Sequence, residues 1–348
     1  GATDTLSALP EVTTLATLRE LSWANGRRAW LRCHTSAGDG GHGVFRRVTG
    51  AAPGTYTHNG GTILVAAAGD GSAAWLREFT GRVSIKWFGA KGDSVTINDD
   101  AIDATASYVE SVGGGIVSVP ALNDENYYRV TNPILWRNNV IFEGEGYGSF
   151  IKNDRTSSVT DGDQSVFRPG GYSESGTNRV DDETFYACSA ATLGDRSITT
   201  TVAANAGNFA IDDVVFIRSN VKDPNYMNHE RYTYQDINVV TSVNAGTGIL
   251  GLRYPLYDTI AAPYIAKSSG TLTDALGNAV QIVRNCGVKN LRLENHYDAT
   301  RGIFNHGGAL EYFIENIWVN GSSAFSLNAM CRGFVKNVWG RVSKKVLD

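Results

Sequence analysis

The sequence is short of proline, of cysteine, of long apolar runs and of clustered basic charge, and each shortage excludes something. Eight prolines among 348 residues leave no proline-rich linker. No apolar run reaches the ~18 residues that a membrane-crossing helix needs, so no transmembrane helix and no membrane insertion are expected. The N-terminal GATDTLSALP has neither a charged start nor an apolar centre, so no signal peptide is expected. Lysine and arginine number 31 against 35 acidic residues, a net charge of −4 with no basic block, which speaks against a nucleic-acid partner. Cys33, Cys188, Cys286 and Cys331 are too far apart to match a zinc pattern and read as reduced, buried thiols. No metal and no cofactor are expected.

What is abundant is glycine, 39 residues, in a chain that is 42% apolar and only 19% charged. That composition belongs to a folded, β-rich protein with many turns, long enough to bury a sizeable core and to hold more than one domain. The glycine-rich runs at Asp39–Gly43 and Gly69–Gly71 lack the strand-then-helix setting of a phosphate loop. Asp161-Gly162-Asp163 is too short for a calcium loop. All three read as turns.

The stretch Val83–Pro120 organises the rest. Val83, Ile85 and Trp87 alternate with their neighbours and predict a short strand over 83–88. Asn98-Asp99-Asp100 predicts a helix cap ahead of a helix with Ile102, Ala106, Val109 and Val112 on its apolar face. Gly113-Gly114-Gly115 should stop that helix, and Ile116, Val117 and Val119 begin the next strand. Such a short amphipathic helix must cover something, and it suits the open end of a stack of strands. The runs Trp87-Phe88-Gly89-Ala90-Lys91-Gly92-Asp93, Asp99-Asp100-Ala101-Ile102 and Gly113-Gly114-Gly115-Ile116-Val117 resemble the opening signature of the pectate-lyase-like right-handed β-helices. These occur in bacteriophage tailspikes and in some secreted polysaccharide-degrading enzymes. Ile97-Asn98 departs from the family's usual Thr-Asp-Asp run. The resemblance implies an all-β fold: a right-handed parallel β-helix with an N-terminal capping helix, a small N-terminal β module and an inserted β subdomain.

Along the chain this gives four units. Residues 1–82 hold a helical turn at Leu15–Leu21 and two predicted strand pairs, Arg28–His34 with Val44–Val48 and Thr62–Ala66 with Ala74–Phe79. This module resembles the segment upstream of the β-helix in many phage tailspikes, which implies a virion-attachment or adaptor role. Residues 83–184 carry the capping helix and first coils. Glu143 and Glu145 in their Gly-rich turn are too close for a catalytic pair and read as turn-flanking residues. Residues 185–285 contain five short strands and predict an inserted small barrel or sandwich. Inside it, Asn225–Tyr234, with Tyr232 and Tyr234, suits a sugar, a subunit interface or a plain loop.

Residues 286–348 contain an internal repeat. Val288–Glu294, Ile314–Asn320 and Val335–Arg341 align at intervals of 26 and 21 residues, and Ile303-Phe304 aligns with Ala324-Phe325. Stacked in register, Val288, Ile314 and Val335 form one inward column, and Leu291, Ile317 and Val338 another. Asn290, Asn316 and Asn337 fall at one bend, where amides can bond along the axis. Lys289, Glu315 and Lys336 alternate in sign on an outward column. Arg292, Trp318 and Trp339 also point outward, and stacked indoles must meet a sugar chain, another subunit or the inserted subdomain; burial against protein is favoured.

Hydrolysis of a glycoside needs two carboxylates in a groove, and a lyase needs a base. The candidates are Glu294, Asp298, Glu311 and Glu315, none with an evident partner. His306 and His229 likewise lack an acid partner or nucleophile. The resemblance therefore implies the N-terminal part of a tailspike, or receptor-binding protein, with its depolymerase site on later coils. It implies a homotrimer, a tail or baseplate protein bound through residues 1–82, and bacterial surface polysaccharide as a partner. Such a protein sits in the virion tail, is assembled in the host cytoplasm and acts at the bacterial surface. The alternatives are a polysaccharide lyase or glycoside hydrolase active in this chain, and a structural tail adaptor.

Overall fold

The structure is a computed structural model that describes residues 9–123, 125–155, 165–169, 183–220, 235–269, 272–273, 279–295, 302–305, 307–326 and 330–347. In the N-terminal module, five strands lie in the order Glu11–Thr14, Arg28–Cys33, Gly43–Val48, Ala74–Glu78, Ile63–Leu64. The first pair is parallel and the rest antiparallel, so both predicted hairpin pairings are present. Alternation along Arg28–Cys33 turns Ala29, Leu31 and Cys33 inward, where Leu18, Phe45, Leu64 and Trp75 complete a small core. The Asp39 carboxylate accepts four backbone N–H bonds, from His34, Thr35, Ser36 and Gly41 at 2.7–3.0 Å. Burial pulls its pKa up and those donors pull it further down, so it ends below the ordinary carboxylate range. The glycine-rich run is thus a self-satisfied turn.

The strand predicted over 83–88 is cut short. Only Val83–Ser84 is extended, and Ile85–Phe88 forms a 3-10 turn capped by the Ser84 hydroxyl. Burying both Ile85 and Phe88, three residues apart, requires this coil. Gly89, at φ 94°, ends it. The helix follows at Asp99–Ser111 and buries Ile102, Thr105, Ala106 and Val109. Val112 is the C-cap and exposed, because the helix ends one residue before it would face inward. Asn98 makes no cap bond. Its buried amide instead accepts the Lys91 N–H (2.7 Å) and donates to the carbonyls of Lys91, Thr96 and Arg129. Asp99 accepts from the Thr131 backbone and hydroxyl, which ties the helix start to the next strand.

Beneath the helix lies a ladder of parallel strands: Val83–Ser84, Gly115–Val119, Val140–Gly144, Gly287–Asn295, Phe313–Ser326 and Phe334–Leu347. Two further parallel ladders run beside it, through Ile134–Leu135, Phe167–Arg168 and Phe304–Asn305, and through Val283–Arg284, Ala309–Leu310 and Met330–Cys331. The chain therefore coils, and each turn lies in register over the last. Val288 sits beside Ile314, and Ile314 beside Val335; Leu291 sits beside Ile317, and Ile317 beside Val338. Phe142, Phe167 and Phe304 fill the interior at 5.2 and 5.7 Å between ring centres.

Strands Val140–Gly144 and Gly287–Asn295 are neighbours although the inserted segment separates them in sequence. Between them, six antiparallel strands run in the order Phe185–Ala187, Pro263–Lys267, Val214–Ser219, Gln235–Asn244, Ile249–Leu252, Ser197–Thr199. The two ends meet: Cys188 bridges Thr200, and the Ser189 and Thr201 N–H groups donate to Thr199 and Ala187. The sheet is thus a closed barrel rather than a sandwich, filled by Ile198, Val215, Ile217, Val240, Leu250 and Ile265.

Candidate functional site

In-register stacking creates two adjacent outward columns. Phe150, Arg292, Trp318 and Trp339 form one; Lys152, Glu294, Asn320 and Arg341 form the other. Trp318 and Trp339 stack at 5.2 Å and 29°. The turn Glu145–Ser149 brings Tyr147 edge-on to Trp318 at 5.9 Å and 87°. That turn is fixed by the Gly146 N–H on the Asn290 carbonyl and the Ser149 hydroxyl on the Val119 carbonyl. The Arg292 guanidinium lies 3.9 Å over Phe150 and 4.7 Å over Tyr147, and it ion-pairs with Glu125 at 2.9 Å. Together Tyr147, Arg292, Trp318, Asn320 and Arg341 enclose a cleft of about 420 Å³. Gly340 forms part of its wall: a Cβ there would sit 1.8 Å from the Val319 carbonyl, so no other residue lets the last strand lie this close. Trp339 remains 47% exposed and Tyr147 52%. Flat aromatic faces beside amide and guanidinium donors are what a pyranose ring and its substituents require.

Of the acids expected as catalytic candidates, the three described ones, Glu294, Glu311 and Glu315, are each engaged. Glu294 pairs with Lys152 at 2.7 Å and accepts from Asn320 at 3.0 Å. Glu311 pairs with Arg253 at 3.5 Å, and Glu315 with Lys336 at 3.6 Å. In register Glu294 sits beside Asn320 and Glu315 beside Lys289, about five residues apart along adjacent strands, so the structure does not bring these two acids together as a pair. Glu143 is buried between Arg82 (3.0 Å) and Lys289 (3.4 Å), and Glu145 accepts the Ala121 N–H. Asp298, Tyr232, Tyr234, His229 and His306 lie outside the described residues. The cysteines are free; Cys33, Cys188 and Cys286 are buried, and burial pushes the Cys188 thiol up to about 12. Among the described residues, no three His, Cys, Asp or Glu side chains gather as a metal site would need.

Reasoning from sequence singled out Arg292, Trp318 and Trp339, which the structure places in one outward column, and did not single out Tyr147 or Arg341, which border it. Arg341 was reachable, since it aligns with Glu294 and Asn320 in the repeat. Tyr147 was not, because its role depends on the path of the turn.

Residues 11–80 match the family described as phage tail protein small four-stranded β-sheet domain. No curated protein sequence matches the chain. Among solved structures, the tailspike of Pseudomonas phage phi297 is similar at 12% identity, covering 74% of this chain and 42% of that one, with a TM-score of 0.47. The tailspike of Acinetobacter phage vb_AbaP_AS12 is similar at 12% identity, covering 95% and 39%, with a TM-score of 0.46. The tailspike of Acinetobacter baumannii bacteriophage Fri1, described as a capsular polysaccharide depolymerase, is similar at 13% identity, covering 94% and 42%, with a TM-score of 0.44. The chain spans about two-fifths of the length of these proteins. The match over residues 11–80 supports the expected phage tail protein, a component of the virion tail.

Proposed function

We propose that the chain is the N-terminal part of a bacteriophage tailspike. Residues 1–82 dock on a tail or baseplate protein. Residues 83–184 and 286–348 begin a right-handed, pectate-lyase-like β-helix, and residues 185–285 are carried between its coils. Three copies assemble in the host cytoplasm, and the outer face meets polysaccharide at the bacterial surface. One observation carries this reading: the phage-tail module is locked directly onto the first turn of the parallel stack. The Arg77 guanidinium lies 4.5 Å over Phe45 of the module and 4.6 Å over Trp87 of the stack entry.

The engaged state of Glu294, Glu311 and Glu315 supports recognition here and depolymerisation elsewhere in the whole protein. The test is to incubate the chain with bacterial capsular polysaccharide and measure released reducing ends and unsaturated uronates. The expected result is polysaccharide binding without release; sustained release from the chain would establish an active site within it. Light scattering should give about three times the 37.4 kDa chain mass, and a monomer at micromolar concentration would remove the trimer.

A further inference from the structure

Two pairs of arginines face each other across strands of the N-terminal sheet, and only one pair has an acid between its members. Arg28 lies opposite Arg46 on the outer face, where Glu78 pairs with both, at 3.0 and 3.5 Å. One step along, the Arg47 N–H donates to the Arg27 carbonyl at 2.7 Å, which makes Arg27 and Arg47 the next neighbours, on the inner face. Like charges so placed repel unless an anion lies between them. Among the described residues, neither the Arg27 nor the Arg47 side chain has a hydrogen bond or an ion pair. Arg47 is the sharper case: it is 7% exposed, and its buried Nε and Nη1 have no acceptor. Burial lowers its pKa, and no neighbouring carboxylate pulls it back. Arg77, buried as deeply in the same module, has three carbonyls for its donors. Two indoles floor the space between the unpaired cations. Arg27 lies 6.0 Å over Trp23, Trp23 meets Trp75 edge-on at 5.3 Å, and Arg47 lies 5.8 Å over Trp75. The Trp75 indole is itself fixed by its N–H on the Leu21 carbonyl.

We propose that Arg27 and Arg47 form a docking seat for an acidic segment of a partner protein. An Asp or Glu carboxylate of that segment takes between them the place that Glu78 takes between Arg28 and Arg46, and an apolar neighbour rests on the half-buried Trp23. Charge complementarity selects the occupant: two cations meet here and no anion does. With Nε and Nη1 covered, Nη2 is the atom of Arg47 that meets the carboxylate. So narrow an approach admits the end of a side chain, and the sequence has no basic block to hold a nucleic-acid backbone. Binding is non-covalent. That the partner is a tail or baseplate protein rests on the tailspike reading; that it presents an acid rests on the seat.

The test is a titration of the full chain, followed by tryptophan fluorescence and by melting temperature. The probes are a blocked peptide with glutamates beside leucines, its counterpart with glutamines, and inorganic phosphate. The glutamate peptide should bind about ten-fold more tightly than the glutamine one, raise the melting temperature, and weaken with added salt. Arg47→Met fills similar space without the charge. It should melt no lower than the unaltered chain and bind the glutamate peptide about ten-fold more weakly. Arg27→Gln, at an exposed position, should also weaken that peptide while leaving the melting temperature unchanged. Equal binding of the two peptides, tighter binding of phosphate than of the glutamate peptide, or unaltered affinity in Arg47→Met would overturn the seat. So would an Arg47→Met variant that melts well below the unaltered chain, since the charge would then serve the fold. Oligomeric mass and capture of tail or baseplate proteins, measured on the unaltered chain, report on the tailspike reading independently of these outcomes.

Discussion

Asn316 does two things with one side chain. Its backbone sits at φ 55°, as those of Asn290 and Asn337 sit at 58° and 53°, a left-handed bend that asparagine tolerates and branched residues do not. Its amide donates to Asn290 at 3.0 Å and accepts from Asn337 at 2.9 Å. Asn316→Ala should therefore cost about 2–3 kcal/mol, adding left-handed strain to the lost ladder bonds. Asn316→Gly keeps the bend and should cost about half as much. Chemical denaturation of the two variants checks this; equal costs would mean the amide ladder carries the whole effect. The ladder was legible because its residues recur at one position in a repeat. Asn98 was misread because its acceptor Arg129 lies 31 residues on, where a local cap rule cannot see it.

At the scale of elements, two joints decide how the units are held. Arg77 is buried, and its guanidinium donates to the carbonyls of Gly61, Gly41 and His42 at 2.8–3.1 Å. Burial pulls its pKa down to about 9, which leaves it charged at neutral pH. Arg77→Ala should destabilise the module and its junction by about 3 kcal/mol, since three carbonyls lose their donor. Arg77→Lys should rescue little, because an ammonium cannot reproduce a planar fork between two rings. Denaturant midpoints of both variants measure this. The second joint lies between barrel and stack. The Asp236 side chain, 0% exposed, pairs with Arg332 at 3.0 Å, and Arg332 lies over Tyr254 at 4.2 Å.

Burial raises the pKa of Asp236 more than Arg332 lowers it, so the folded carboxyl holds its proton more tightly than the unfolded one. Its contribution to stability therefore grows as pH falls through the folded pKa, and it is fully present below the unfolded carboxyl range, about 3.9. Asp236→Asn should be tolerated best at pH 7 and lose that relative advantage by pH 4. Melting temperatures of both proteins across that range test the sign, and a widening advantage on acidification would reverse it. Neither joint could be read from sequence, since each joins residues from units far apart in the chain. The short strand over 83–88 failed for a related reason: alternation of apolar residues cannot reveal that Ile85 and Phe88 must turn to the same core.

For the molecule as a whole, the coils were legible and the closure of the barrel was not. Repeats at 26 and 21 residues announced strands that stack, and the column Glu143, Lys289, Glu315, Lys336 alternates in charge through four rungs. The choice between barrel and sandwich rested on a bridge between Cys188 and Thr200, which short strands separated by turns do not encode locally. The aromatic cleft combines the two cases: its columns come from the repeat, and its edge from a turn that reaches over them.

The account stands on coils that lie directly over one another, and a cross-link tests that most directly. Lys289 and Glu315 are register partners on adjacent parallel strands, about 4.8 Å apart, within disulfide range. A chain carrying Lys289→Cys and Glu315→Cys should form an intrachain disulfide under mild oxidation, detected by mass spectrometry. The out-of-register pair Lys289→Cys with Asn320→Cys, about five residues further along the neighbouring strand, should stay reduced. Equal cross-linking of both pairs, or cross-linking only of the second, would contradict the stack and everything placed on its outer face.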